Sequence, residues 1–240
     1  MKNFRKLRVG LICLLVSVLA TVSCVKDGVT PFQGIGDVAI QDIKTDAGVK
    51  YAIVAYVTAN QEIQSAKVTA PGTNGRVYQL SATSTAEQFS FIPQAGDYTS
   101  DIPVSGNYSI EVTSLLGETL TGKDAVGSEK LLPIVISAAT VDSQKLKITW
   151  DKVTDAETYV VRLYSADKSE LLFASNFLLS SDVQYEIEAT TQGWLTGKSP
   201  VVNTNYVVEL LGIRSEADAS SDKVNNLQFI TTDSKTIKWQ

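Results

Sequence analysis

Between Lys145 and Ser165 the chain reads Lys-Leu-Lys-Ile-Thr-Trp-Asp-Lys-Val-Thr-Asp-Ala-Glu-Thr-Tyr-Val-Val-Arg-Leu-Tyr-Ser. Leu146, Ile148 and Trp150 alternate with polar residues. After an Asp/Thr-rich break, Tyr159, Val161 and Leu163 alternate again. Period two on both sides of a turn predicts two antiparallel strands, each with one buried face. A Trp closing the first strand and a Tyr opening the second supply much of the apolar mass of a thin sandwich core.

The rest of the second half follows suit. Strands are expected at Ile134–Val141 (A), Gln144–Asp151 (B), Thr158–Ser165 (C), Leu171–Ser175 (C′), Val183–Glu188 (E), Asn205–Ile213 (F) and Val224–Thr231 (G). The spacing Trp150, Val153, Ala156, Tyr159, Val161 resembles the B–C region of fibronectin type III modules. Tyr206-Val207-Val208-Glu209-Leu210 resembles their Tyr-x-Val strand F. The departure is Thr190–Thr204, longer than the usual E–F connection and carrying Gly193-Trp194 and Gly197. Leu195 is expected to fill the apolar slot below the core, which leaves Trp194 without a periodic partner. Thr232–Gln240, with Ile237 and Trp239, either extends strand G or packs against the first half.

The first half carries a comparable set. Strands are expected at Asp37–Ile43, Val49–Thr58, Ala66–Ala70, Arg76–Ala82 and Glu87–Pro93. Val49–Thr58 is apolar on both faces, as a central strand is. Pro71-Gly72-Thr73-Asn74-Gly75 is hairpin chemistry, because Gly and Asn tolerate positive φ. Gly106-Asn107-Tyr108-Ser109-Ile110-Glu111-Val112, a turn at Leu116-Gly117-Glu118 and Thr119–Thr121 resemble the last hairpin of bacterial Ig-like modules. That resemblance implies a corner-tyrosine role for Tyr108, its hydroxyl bonded back to nearby backbone.

An export leader precedes these halves. Lys2, Arg5, Lys6 and Arg8 form a basic head, the 14-residue run Val9–Val22 is apolar, and Ser23-Cys24 follows. That run falls short of the ~20 residues a spanning helix needs and matches a secretory signal. Cys24, after a small residue at the end of the run, resembles the lipidation cysteine of a bacterial lipobox, although Thr21 stands where Leu is usual. Ordinary cleavage after Ser23 is the alternative, and it leaves an odd free thiol. Val25-Lys26-Asp27 resembles the signal after the cysteine in surface-exposed Bacteroidota lipoproteins, with Gly28 in place of a second acid. The expected organisation is a signal peptide over 1–23, the lipidated cysteine and tether over 24–35, an Ig-like sandwich over 36–130 and a fibronectin type III-like sandwich over 131–240. The fold class is therefore all-β: two tandem β-sandwiches behind a cleaved lipoprotein signal peptide.

Composition removes whole classes of chemistry. With Cys13 in the leader, Cys24 is the last cysteine, so no internal disulfide can form and the core must hold the fold alone. The chain contains no histidine. That excludes Ser-His-Asp and Cys-His nucleophile systems and His-ligated zinc or iron. Removing the leader's four basic residues from 21 leaves 17 against 26 acids, a net charge of −9. Such a surface disfavours nucleic acid and electrostatic adhesion to anionic lipid, so membrane attachment rests on Cys24. No cofactor, metal site or catalytic residue is expected.

Two aromatics stand out as ligand contacts. Trp194 on a Gly-flanked loop offers a large face to a sugar ring, and the alternative is a plug capping the core. Trp239 carries the same ambiguity. Arg214-Ser215-Glu216-Ala217-Asp218, through Asp222, reads as a solvated acidic F–G loop, with weak Ca²⁺ coordination as the lesser alternative. The expected function is a lipid-anchored, surface-exposed, non-catalytic binding protein of the outer membrane. Its resemblance to accessory lipoproteins of polysaccharide-utilisation systems implies a polysaccharide ligand, and the acidic surface favours a neutral one. The rival is a structural or adhesive subunit that binds a cell-surface protein, and an unpaired apolar edge strand favours that rival.

Overall fold

The computed structural model describes residues 30–217 and 226–240. Phe32–Gln240 forms one compact unit. In the first half, alternating runs become β1 (Gly34–Thr45), β2 (Gly48–Ala59), β3 (Ile63–Thr69), β4 (Val77–Ala82), β5 (Gln88–Phe91), β6 (Gly106–Ser114) and β7 (Thr119–Val126). The second half supplies β8 (Ile136–Asp142), β9 (Lys145–Trp150), β10 (Thr158–Ser165), β11 (Leu171–Ala174), β12 (Leu178–Leu179), β13 (Gln184–Ile187), β14 (Asn205–Ser215) and β15 (Leu227–Lys238). The protein is all-β, built from sandwich-like sheets.

In the first half, β1, β2 and β5 lie side by side, as do β4, β3, β6 and β7. Their inner faces meet so closely that a Cβ at Gly36 would stand 3.0 Å from Ile110 Cδ1 and 3.1 Å from Val57 Cγ2. In the second half, β11-β10-β14-β15 faces β13-β9-β8. Trp150 on β9 meets Tyr159 on β10 edge-to-face with ring centroids 5.5 Å apart, as the alternation on both sides of that turn predicts. β2 runs between β1 and β5; Ile53, Ala55 and Val57 face the main core, while Val54 on the other face is half-buried against a second, smaller cluster.

Corner tyrosines brace both halves. The Tyr108 hydroxyl donates to Val104 O at 2.9 Å, and the Tyr206 hydroxyl accepts from Val201 N at 2.8 Å. Of the two readings left open for Thr232–Gln240, the segment extends strand G: β15 continues to Lys238, well beyond Thr231.

No sequence signal announces how the halves join. β1 and β15 pair in parallel, from Ile40 opposite Phe229 to Ile43 opposite Thr232. One hydrogen-bonded path therefore runs β11-β10-β14-β15-β1-β2-β5 across both halves. Polar side chains tie the joint from within. Thr231 Oγ1 donates to Asp42 Oδ1 at 2.7 Å and accepts from Ile134 N at 2.9 Å, while Thr232 Oγ1 donates to Asp42 O. Asp42 is fully buried, and burial pushes its carboxyl up to about 6.

Candidate functional site: a tryptophan cluster and a carboxylate knot

The two tryptophans singled out in the sequence lie together. Gly193 adopts φ +127°, and a Cβ there would collide with the Ala174 carbonyl. Glycine is thus required for the E–F loop to close on the outer edge of β11. Ala174 N donates to Gly193 O at 3.0 Å, and Leu195 N donates to Leu172 O at 3.0 Å. This turns the Trp194 side chain inward. Its ring sits edge-to-face with Phe173 at 5.3 Å and with Trp239 at 6.3 Å, and its Nε1 donates to Glu188 O at 2.9 Å.

Trp239 is fully buried beside Tyr206, with ring centroids 6.2 Å apart, and its backbone is bonded to Asn203 and Thr204. It has no face to offer a ligand, which corrects its place among the binding candidates. Leu195, expected under the core, is 43% exposed. Trp194 occupies the position against the core instead, because Gly193 brings the loop in one residue earlier. Cys24 lies outside the described residues, as do Asp218 and Asp222.

A second grouping was invisible in the sequence. Asp37 on β1, Asp124 on β7 and Glu216 just after β14 bring carboxylate oxygens within 4.8 Å of one another. Glu216, expected in a solvated loop, is only partly exposed. Asp37 is 2% exposed, and both its oxygens accept from Leu227 N at 3.1 Å. Asp124 Oδ2 accepts from Val38 N at 2.7 Å. The knot thus pins β7 and the start of β15 to β1. Burial first, then the charges of Asp124 and Glu216, push the Asp37 carboxyl up to about 7.

Calcium takes six to eight oxygens. Here oxygens of two of the three carboxylates are already engaged by backbone N–H groups, so the cluster reads as a structural knot, in which burial and the neighbouring acids favour the protonated form of Asp37. Its residues gave no local signal, since Asp37 and Asp124 occupy ordinary alternating positions and meet only through the tertiary fold.

No family model matches the sequence, and no curated protein matches it. Among solved structures, the chicken CNTN1 FN1–FN3 domains show 12% identity over 78% of this chain and 62% of that one, with a TM-score of 0.31. A two fibronectin type III domain segment of chicken tenascin shows 9% identity over 77% of this chain and 91% of that one, TM-score 0.31. A tetra-tandem repeat from the extending region of a large adhesion protein shows 14% identity over 87% of this chain and 50% of that one, TM-score 0.27.

Proposed function

We propose that this chain is a non-catalytic structural or adhesive protein of the cell surface, tethered to the outer membrane by lipid at Cys24. The observation that carries the reading is the β1–β15 joint. A parallel strand pair, sealed by the Asp42–Thr231–Ile134 bonds, couples the two sandwiches edge to edge, unlike flexibly linked beads. Relative domain motion is the default where an interface is small and polar, and continuous sheet pairing removes that freedom. A stiff body of this kind suits a spacer or a presenter of a docking edge. Glycan capture, the reading tied to exposed tryptophans, loses its support with Trp239 buried and Trp194 packed edge-to-face.

The test uses cells displaying the full chain or its Cys24→Ser variant. Adhesion to protein-coated surfaces is scored beside retention of a neutral polysaccharide panel, and fractionation follows the anchor. The reading expects membrane-bound, protein-directed adhesion that the Ser variant loses by release from the membrane. Saturable polysaccharide binding with no protein adhesion would overturn it.

A further inference from the structure

The tip that joins β6 to β7 reads Ser114-Leu115-Leu116-Gly117-Glu118. Tips of this kind usually carry Asn, Asp, Ser or Gly, which bond their own backbone or tolerate positive φ. Of the three central residues only Gly117 follows that rule, at φ +85°. Leu115 and Leu116 are 60% and 78% exposed, and Leu116 is the most exposed large apolar side chain among the described residues.

Backbone bonds order the tip. Ser114 N donates to Glu118 O at 2.8 Å, Gly117 N to Ser114 O at 2.9 Å, and Glu118 N to the buried Ser114 Oγ at 3.1 Å. Leu115 N donates to Glu62 O at 2.9 Å, which ties the tip to the β2–β3 turn. The two leucines are therefore presented by a backbone already in place, and a partner meets them at small entropic cost.

The start of the chain enters at the same turn. Gln33 N donates to Asn60 Oδ1 at 2.8 Å, Asn60 N donates to Gln33 O at 3.0 Å, and Gly34 pairs with Ala59. Gln33 and Leu115 thus share one end of the first sandwich, joined through residues 60–62. Ile35, 53% exposed, lies at this end too. Phe32 is buried, which fixes the chain to the sandwich at that point. From Cys24 to Phe32 the chain spans at most about 29 Å. The β1–β2 turn stands at the opposite end, roughly 35–40 Å away along β1.

Charge selects the kind of surface. Glu62 and Glu118 are exposed beside the tip, and acids outnumber bases along the chain. Attraction to anionic headgroups therefore cannot reinforce a lipid anchor, which leaves apolar insertion. Zwitterionic headgroups carry an outward ammonium that the two carboxylates can meet. A bilayer already held within reach by a lipid has a high effective concentration at the tip, so a contact as small as two leucines is enough.

We propose that the Leu115–Leu116 tip inserts shallowly into a membrane surface of zwitterionic headgroups, with Glu62 and Glu118 among those headgroups, and stands the first sandwich on the bilayer that carries the lipid. This deepens the anchored reading, and it rests on the lipid at Cys24.

The full chain is expressed with labelled fatty acid, which scores the lipid, then purified and reconstituted into phosphatidylcholine vesicles. An environment-sensitive dye on Leu116→Cys should shift to the blue and be quenched by spin-labelled lipid. The same dye on Ala47→Cys, in the β1–β2 turn, should stay in water. Leu115→Ser combined with Leu116→Ser should speed transfer between vesicles at least about tenfold, with an unchanged melting temperature, because burying one leucine is worth about that factor. An equal mixture with phosphatidylglycerol should weaken the quenching, and Glu62→Lys combined with Glu118→Lys should restore it.

Equal exposure of the two dyes to water, or transfer that the double serine variant leaves unchanged, overturns the proposal. So does dimerisation in solution that the serine variant abolishes, which would assign the tip to a second copy. A lipidated chain whose tip stays in water refutes the tip and leaves the anchor standing. A chain without lipid at Cys24 refutes the anchor; the tip then stands if added phosphatidylcholine vesicles still shift the dye in a Cys24→Ser background, and falls if they do not.

Discussion

The carboxylate knot makes stability depend on pH in an unusual direction. Between pH 5 and 8 ordinary side chains of this chain are nearly silent, because it has no histidine. Asp37 titrates near 3.8 when unfolded and about 7 when folded. Across that window the folded state holds the proton more firmly than the unfolded state, so stability falls as pH rises. Integrated from pH 5 to pH 8, Asp37 alone removes roughly 2–3 kcal/mol. Asp42, raised to about 6, removes about 1 kcal/mol more in the same direction. The perturbation is Asp37→Asn, whose amide oxygen can still accept from Leu227 N while no charge has to be buried. The variant should gain about 1–3 kcal/mol at pH 8 and retain only the Asp42 part of the slope. Urea titrations at pH 5, 6, 7 and 8, with EDTA present and the m-value checked for constancy, read this directly. A wild type equally stable at pH 5 and 8, or a variant with the full wild-type slope, refutes the assignment of the proton to this cluster.

Two further perturbations test the second core. Trp150→Ala should cost about 3–5 kcal/mol in a denaturant titration, because it empties the space against Tyr159. A loss under ~1 kcal/mol would contradict its place there. Trp194→Ala should cost about 3 kcal/mol and Trp194→Phe about 1 kcal/mol, since phenylalanine keeps the packing on Phe173 and gives up the bond to Glu188 O. Unchanged stability in both, with a changed affinity for a neutral glycan, would return Trp194 to the ligand-contact role.

What was legible in the sequence is what period two encodes. Leu146, Ile148 and Trp150 against Tyr159, Val161 and Leu163 fix strand, face and core together, because a one-residue slip would expose all of them. Tyr108 was readable because its strand resembles a known hairpin, and the expected backbone bond forms. Trp194 was ambiguous for a specific reason. A glycine before a loop tryptophan is compatible with presenting the ring or with tucking it in, and the choice depends on the Ala174 carbonyl, which is distant in sequence. Asp37 and Asp124 were not legible, since a polar residue at an alternating position has the same pattern whether it faces water or two other carboxylates.

The β1–β15 joint was the least legible element, and it explains where the polar burial concentrates. Backbone pairing between strands about 190 residues apart leaves no local pattern, and Thr231, Thr232 and Asp42 look like ordinary polar strand residues. An exposed edge is a hazard that each sheet of a two-sandwich protein must manage at its outer strands. Here two edges cover each other in the joint, with Asp42 and Thr231 sealing it from inside and the Asp37 knot at its end. A third, β11, is covered by the Gly193–Leu195 segment of the E–F loop. The pairing of β1 with β15 begins at Ile40, however, and Asp124 protects only as far back as Val38. Polar burial therefore concentrates where the two halves meet, while β7, β8 and β13 end their sheet paths with no further strand beyond them among the described residues.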